Sequence, residues 1–160
     1  MTTSSGTSLV FSPDDFVDTA LRLVGEPSSK EAELRTAIGR AYYGVFLNAR
    51  DTLFGLDQSR LTRNLRKKVL HNYRLSSGAR KNKNDLGSHE MVIFAVQDQS
   101  KNIVLAQQLD QLREARVRAD YKCHSNCLND VGKSTWRDYA EETLELAIDL
   151  LPQVKALPSY

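Results

Sequence analysis

The chain has 160 residues, of which 41% are hydrophobic and 26% charged, as in ordinary water-soluble globular proteins. This length is enough for one domain with its own core. The longest uncharged apolar runs fall well short of the roughly 20 residues that a membrane-spanning helix needs, and residues 1–8 do not resemble a secretion signal. These features exclude a membrane protein, and we expect a cytoplasmic one.

Positive charge is concentrated in one segment. Nine basic side chains lie between residues 60 and 83 without any Asp or Glu, which leaves 13 Lys and Arg beside 20 acids elsewhere. Such a run is either a solvated helix face or a surface that contacts RNA phosphates. The absence of acids strengthens the second interpretation. The candidate RNA-binding residues are Arg60, Arg63, Arg66, Lys67, Lys68, Arg74, Arg80, Lys81 and Lys83.

Two helices are predicted in the first third of the chain, after a flexible N-terminus at residues 1–10. Ser12 is a suitable N-cap for the first helix, which should stop at Gly25. The second begins near residue 28 and ends at Gly55. Its apolar residues recur at steps of three and four, the spacing of a buried face: Leu34, Ile38, Ala41, Val45 and Ala49.

Three more core helices are predicted in the second half of the chain. The third opens at Gly87 and ends near residue 96, and the fourth covers residues 102–121. A polar loop at 123–133 precedes the last helix, for which Ser134 is the expected cap.

No strand alternation, repeat or second domain is evident in the sequence. We therefore predict an all-α protein, an antiparallel helical bundle of about five helices. A single domain at residues 11–155 would contain a basic insertion at about 56–86, followed by a tail at 156–160.

The end of the fourth helix carries the most informative polar residues. At about 100° per residue, Arg116 shares the apolar side with Leu105 and Leu109. A guanidinium there needs a partner, because burying a lone charge is costly, and Asp120 lies one turn later. On this interpretation Arg116 and Asp120 form a structural ion pair, and Arg118, on nearly the opposite side, is solvated.

A functional interpretation of the same helix end also stays open. Arg116, Arg118, Tyr121 and His124 could line one anionic site. Arginine can hold a phosphate through two hydrogen bonds, and histidine titrates near neutral pH, so it can move a proton.

Three sequence blocks resemble those of the HEPN family. Residues 37–50 resemble its "A-I-x-R-A-Y-Y-x-x-F-x-x-A-R" helix, and residues 88–93 its "H-x-x-V-I" helix. Residues 116–121 resemble the "R-x-R-A-D-Y" ending of small bacterial members. Together the matches extend from about 16 to 151, with 56–86 poorly matched.

The resemblance implies a HEPN-like bundle that forms a homodimer through the helix carrying an Arg-x(4–6)-His motif. Active members are metal-independent endoribonucleases, often toxins or defence factors, and their partners are often nucleotidyltransferase-like proteins. It further implies that a ribose 2′-OH attacks the adjacent phosphorus while His moves a proton and Arg stabilises the developing charge. Arg118 and His124 fit the spacing, supported by Arg116, Asp120 and Tyr121.

A non-catalytic function is the alternative, because Tyr121 stands where active members often carry His. The chain would then be a HEPN-like module that binds RNA or a partner protein in a toxin–antitoxin or defence assembly. In either case the resemblance places Arg40 and Tyr43 toward the partner subunit or the motif Arg. The residues themselves equally allow solvent exposure for Arg40 and packing for Tyr43.

The remaining histidine and cysteine residues give weaker signals. Cys123, His124 and Cys127 offer three soft ligands, but a zinc site needs a fourth ligand or a water, so chance clustering is favoured. We expect no metal and no cofactor. His89, near a helix start, is interpreted as a polar cap or a buried, hydrogen-bonded imidazole.

Overall fold

A computed structural model of the protein describes residues 11–55, 87–122 and 127–160. These residues form five helices and no strand, which confirms the all-α fold class. The helices are α1 (Asp14–Gly25), α2 (Glu31–Phe54), α3 (Ser88–Ser100), α4 (Ile103–Tyr121) and α5 (Trp136–Lys155). None of them is long and apolar enough to cross a membrane. The nine basic residues between 60 and 83 lie outside the described residues.

Local sequence signals account for most helix ends. Helix α1 ends at the expected Gly25, and α2 is followed by Gly55, whose φ of 71° is favourable for glycine. Asn102 caps α4 by accepting the Val104 N–H at 3.0 Å. The prediction that Ser134 caps α5 is wrong by one residue. The cap is Thr135, whose hydroxyl accepts a hydrogen bond from the Asp138 N–H at 3.1 Å.

Helix α2 is the centre of the bundle, where it packs against each of the other four helices. Its predicted inward residues are all buried, as are Tyr42 and Phe46 on the flanks of that stripe. Each large apolar side chain removed from water contributes about 1.5–3 kcal/mol, so α2 carries a large part of the stabilisation.

A smaller apolar cluster joins the first half of α2 to the end of α4 and the start of α5. It contains Leu34, Ile38, Ala115, Ala119, Cys127, Leu128, Tyr139 and Ala140. Two of these residues belong to the segment expected to be a polar loop, so that expectation is wrong for Cys127 and Leu128. A 3-10 turn at Asn129–Val131 follows them and keeps this stretch against the bundle.

The last residues of the chain also contact the bundle. The Tyr160 N–H donates to the Leu53 carbonyl at 3.0 Å, and its hydroxyl donates to Asp98 at 2.8 Å. Its ring stacks on Phe54 with centroids 5.6 Å apart. Residues 156–160, assigned to a tail from the sequence, therefore lie beside the end of α2.

The close approach of α1 to α2 depends on Gly44. A Cβ there would overlap a methyl group of Val17 and lie 3.4 Å from the Pro13 carbonyl oxygen. We expect Gly44→Ala to lower the free energy of unfolding by about 1–3 kcal/mol, as measured by urea denaturation. Gly39→Ala is the matched control: a Cβ there would have Asp120 Oδ1 as its nearest atom, at 3.8 Å, so it should stabilise by about 0.5–1 kcal/mol. Stabilisation by both variants would contradict the close packing.

Candidate functional site

The predicted ion pair of Arg116 is present. Its Nε lies 2.7 Å from Asp120 Oδ2, and its side chain is only 19% exposed. The Nε–H does not point at that oxygen well enough to make a hydrogen bond, so the contact is mainly electrostatic. Because the guanidinium is largely removed from water, a facing carboxylate offsets part of its desolvation cost.

Two tyrosines complete the surroundings of Arg116. A terminal nitrogen donates to the Tyr43 hydroxyl at 3.1 Å. The guanidinium carbon lies 5.5 Å from the centroid of the Tyr43 ring and 5.4 Å from that of Tyr121, both within the range of cation–π attraction. Tyr43 is half-buried, whereas Tyr121 is 68% exposed. One side of this arginine site therefore opens to solvent.

His89 lies next to the same tyrosines. It is the second residue of α3, and Gly87 is the N-cap, so the polar-cap interpretation is wrong. Its ring stacks on Phe46 at 4.4 Å between centroids, and Nδ1 lies 2.5 Å from the Tyr42 hydroxyl. The half-buried, hydrogen-bonded imidazole agrees with the other interpretation.

The protonation of His89 follows from its neighbours. Burial lowers its pKa below the ordinary 6.5, and the positive charges of Arg116 and Arg113 lower it further. The imidazole is therefore neutral at pH 7. A hydroxyl can donate or accept, so the Tyr42 contact permits either tautomer. When Nδ1 carries the proton, Nε2 has the free lone pair that a general base needs. We call Tyr42, Tyr43, His89, Arg116 and Tyr121 the Arg116–His89 cluster.

Arg118 is held on a different surface. Its side chain is 13% exposed and lies 3.4 Å from Asp130 Oδ2, and it donates to the Cys127 carbonyl at 2.5 Å. It also lies beside Tyr139. Burial raises the pKa of the Tyr139 hydroxyl, and the positive charge of Arg118 opposes that rise. The expectation that Arg118 is solvated is wrong, because the segment after α4 folds back over it.

The structure brings together only part of the predicted site. Among the described residues, Arg116 and Arg118 share no hydrogen-bond or ion-pair partner, and the two guanidinium groups are held by different parts of the chain. His124 and Cys123 lie outside the described residues, and the Arg118–His124 motif stays a prediction. Cys127 is buried in the smaller apolar cluster. No group of three His, Cys, Asp or Glu side chains gathers in the part of the chain that is described.

The two α2 residues implied by the resemblance have different environments. Tyr43 contacts Arg116, which is one of the two placements that the resemblance implied. Arg40 is exposed, and its guanidinium carbon lies 5.0 Å from the centroid of the Phe16 ring.

Sequence reasoning did not assign a functional role to His89 or Tyr42. Both lie in blocks that resemble the HEPN family, at residues 37–50 and 88–93, so the resemblance itself was the available signal. Comparisons with protein-family models, curated proteins and solved structures found no match. The resemblance to the HEPN family therefore rests on those sequence blocks alone and stays a prediction.

The positive charge of Arg116 should have a measurable effect on the pKa of His89. Removing the cation in Arg116→Gln should raise the pKa of His89 toward 6.5, because protonation would no longer be opposed by that charge. The measurement is an NMR titration of the imidazole, with His89→Gln identifying its resonance. Arg22→Gln, on an exposed position of α1, is the control and should leave the pKa unchanged. An unchanged pKa in Arg116→Gln would contradict the proximity of the two groups.

The buried bonds of Arg118 give a stability prediction. Arg118→Gln should lower the free energy of unfolding by about 1–3 kcal/mol, because the Cys127 carbonyl loses a charged donor. Arg40→Gln, at an exposed arginine, should change it by less than about 0.5 kcal/mol. Urea denaturation followed by circular dichroism measures both. A loss in Arg118→Gln as small as that in Arg40→Gln would show that Arg118 does not anchor the segment after α4.

Proposed function

We propose that this protein is a HEPN-like, metal-independent endoribonuclease that acts at the Arg116–His89 cluster. The observation that carries the proposal is that the His89 ring and the Arg116 guanidinium both lie next to the Tyr43 ring, 6.2 and 5.5 Å from its centroid. The imidazole can accept a proton, and the guanidinium can stabilise negative charge on a phosphate. Those are the two functions that cleavage of RNA by its own 2′-OH requires.

The reaction uses the RNA itself as the nucleophile. His89 Nε2 takes the proton of a ribose 2′-OH, and O2′ forms a bond to the adjacent phosphorus. Arg116 stabilises the phosphorane, the bond from phosphorus to O5′ breaks, and O5′ takes a proton from water, while the protonated His89 releases the 2′-OH proton to solvent. The products are a 2′,3′-cyclic phosphate and a 5′-hydroxyl, and the proton count is unchanged.

Arg116 has donors available for this role. A guanidinium carries five N–H groups, and the contacts with Tyr43 and Asp120 engage only some of them. Those contacts hold the plane of the guanidinium in place, so little conformational freedom is lost when a phosphate binds. The exposed ring of Tyr121 marks the side from which RNA would approach.

The resemblance supports the wider biological part of the proposal. It implies a homodimer of toxin or defence type, in a family whose partners are often nucleotidyltransferase-like proteins, and we further propose a cytoplasmic location. In such a dimer two Arg116–His89 clusters would serve one RNA, and the basic residues between 60 and 83 would contact its backbone.

A non-catalytic HEPN-like binding module is the second candidate. Two observations favour it: Arg118 is bonded to its own chain at Cys127 and Asp130, and Asp120 already faces Arg116. Both arginines would then stabilise the fold, and RNA or a partner protein would bind without being cut.

RNA cleavage in the presence of EDTA distinguishes the two candidates. With labelled RNA, His89→Gln should slow cleavage about 100-fold or more, and Arg116→Gln should have a comparable effect. Arg22→Gln, outside the cluster, should cleave like the wild type, and circular dichroism checks that each variant is folded.

Two other outcomes of the cleavage assay would contradict the proposal. Cleavage that is lost in His124→Ala but kept in His89→Gln would place the chemistry at the Arg118–His124 motif and contradict the proposed cluster. No cleavage above that of a mock preparation, together with RNA binding, would establish the non-catalytic candidate.

A further inference from the structure

A line of contacting rings and guanidinium groups extends from the Arg116–His89 cluster to the start of α1. The Tyr43 ring lies 6.1 Å from that of Phe16, which lies 5.2 Å from that of Phe11 in an edge-to-face arrangement. Arg40 covers Phe16 at 5.0 Å. The aromatic surface at Arg116 is therefore continuous with a second aromatic and cationic patch, formed by Phe11, Phe16 and Arg40.

This patch is open to solvent, and no carboxylate among the described residues forms an ion pair with its arginine. The Phe11 side chain is 60% exposed, and Arg40 is exposed. Arg116 and Arg118, in contrast, each face an aspartate. The exposed Phe11 ring and the Arg40 guanidinium, joined through Phe16, together offer a stacking surface and a positive charge.

We propose that Phe11, Phe16 and Arg40 form a subsite for an unpaired nucleotide, next to the nucleotide whose phosphate Arg116 binds. This inference rests on the proposed function, since it assumes that RNA lies on the Arg116–His89 cluster. The base stacks on the exposed Phe11 ring, and Arg40, held over Phe16, contacts the neighbouring phosphate. Every base has a face that can stack, so this subsite is tolerant of sequence.

The chemistry of the patch favours a single strand of RNA as its occupant. In a duplex both faces of each base are already stacked, so an exposed ring has no base to contact, whereas splayed bases stack readily on aromatic side chains. A second copy of this chain would cover Arg40 favourably only by placing a carboxylate against it, because a buried unpaired charge is costly. A phosphate of the RNA supplies that negative charge directly.

Binding of a non-cleavable single strand tests the subsite. The probe is a fluorescent 2′-O-methyl oligouridylate in anisotropy titrations with the full chain, compared with an abasic strand of equal length and with the same strand in a duplex. Phe11→Ala should weaken binding of the oligouridylate about five-fold or more and leave the abasic strand unaffected. Arg40→Gln should weaken both and reduce the salt slope by about 0.7, the value of one phosphate contact on a single strand.

Two variants on α1 are matched controls. Leu21→Ala removes another exposed apolar side chain, which is 44% exposed, and Arg22→Gln removes another exposed cation. Neither variant should change the preference of the protein for the oligouridylate over the abasic strand. Neither should change its preference for the single strand over the duplex. Sedimentation velocity on the same samples should show the oligomeric state of the wild type in every variant.

Several results would overturn the subsite. They are equal binding by wild type and Phe11→Ala, equal binding of single strand and duplex, and no binding of the oligouridylate by the wild type. A change of oligomeric state in Phe11→Ala with RNA binding intact would make the patch an interface between copies. Because the probe has no 2′-OH to attack, its binding is measured independently of cleavage, so failure of the nuclease proposal and failure of the subsite are separable.

Discussion

The arrangement around the end of α4 depends on one electrostatic constraint, the placement of the Arg116 guanidinium against the apolar interior. A charge that is mostly removed from water must be compensated by nearby groups. Asp120 and the rings of Tyr43 and Tyr121 supply that compensation, and the two tyrosines also belong to the Arg116–His89 cluster. The Tyr42–Tyr43 pair of α2 then connects this arginine to His89. Tyr43 accepts a hydrogen bond from Arg116, and the hydroxyl of Tyr42 is hydrogen-bonded to the imidazole.

Two arginines two residues apart have separate roles for a simple geometric reason. Positions two residues apart on a helix diverge by about 200°, so Arg116 faces Tyr43 of α2, whereas Arg118 faces the segment that leads into α5. Arg118 is bonded to a main-chain carbonyl, which makes it a structural anchor within the chain. Arg116 is bounded by side chains and by an exposed ring, which leaves it open to a ligand.

The sequence predicted those features that depend on neighbours within a few turns. The inward stripe of α2 and the pairing of Arg116 with Asp120 follow from helical periodicity, and the α2 end follows from Gly55. The environment of Arg118 could not be predicted in this way, because Cys127 and Asp130 reach it only after the chain reverses direction. His89 was missed for a similar reason: its partner Tyr42 lies 47 residues away in sequence, and only the fold brings the two rings together.

We propose that Arg116, and not Arg118, is the arginine that receives a phosphate. An NMR titration of the arginine side-chain Nε–H resonances tests this with a 2′-O-methyl dinucleotide, which can bind but cannot be cleaved. We expect the Arg116 resonance and the imidazole of His89 to shift together with a single dissociation constant, while Arg118 stays unchanged. A shift of Arg118 with Arg116 unaffected would instead place the phosphate at Arg118.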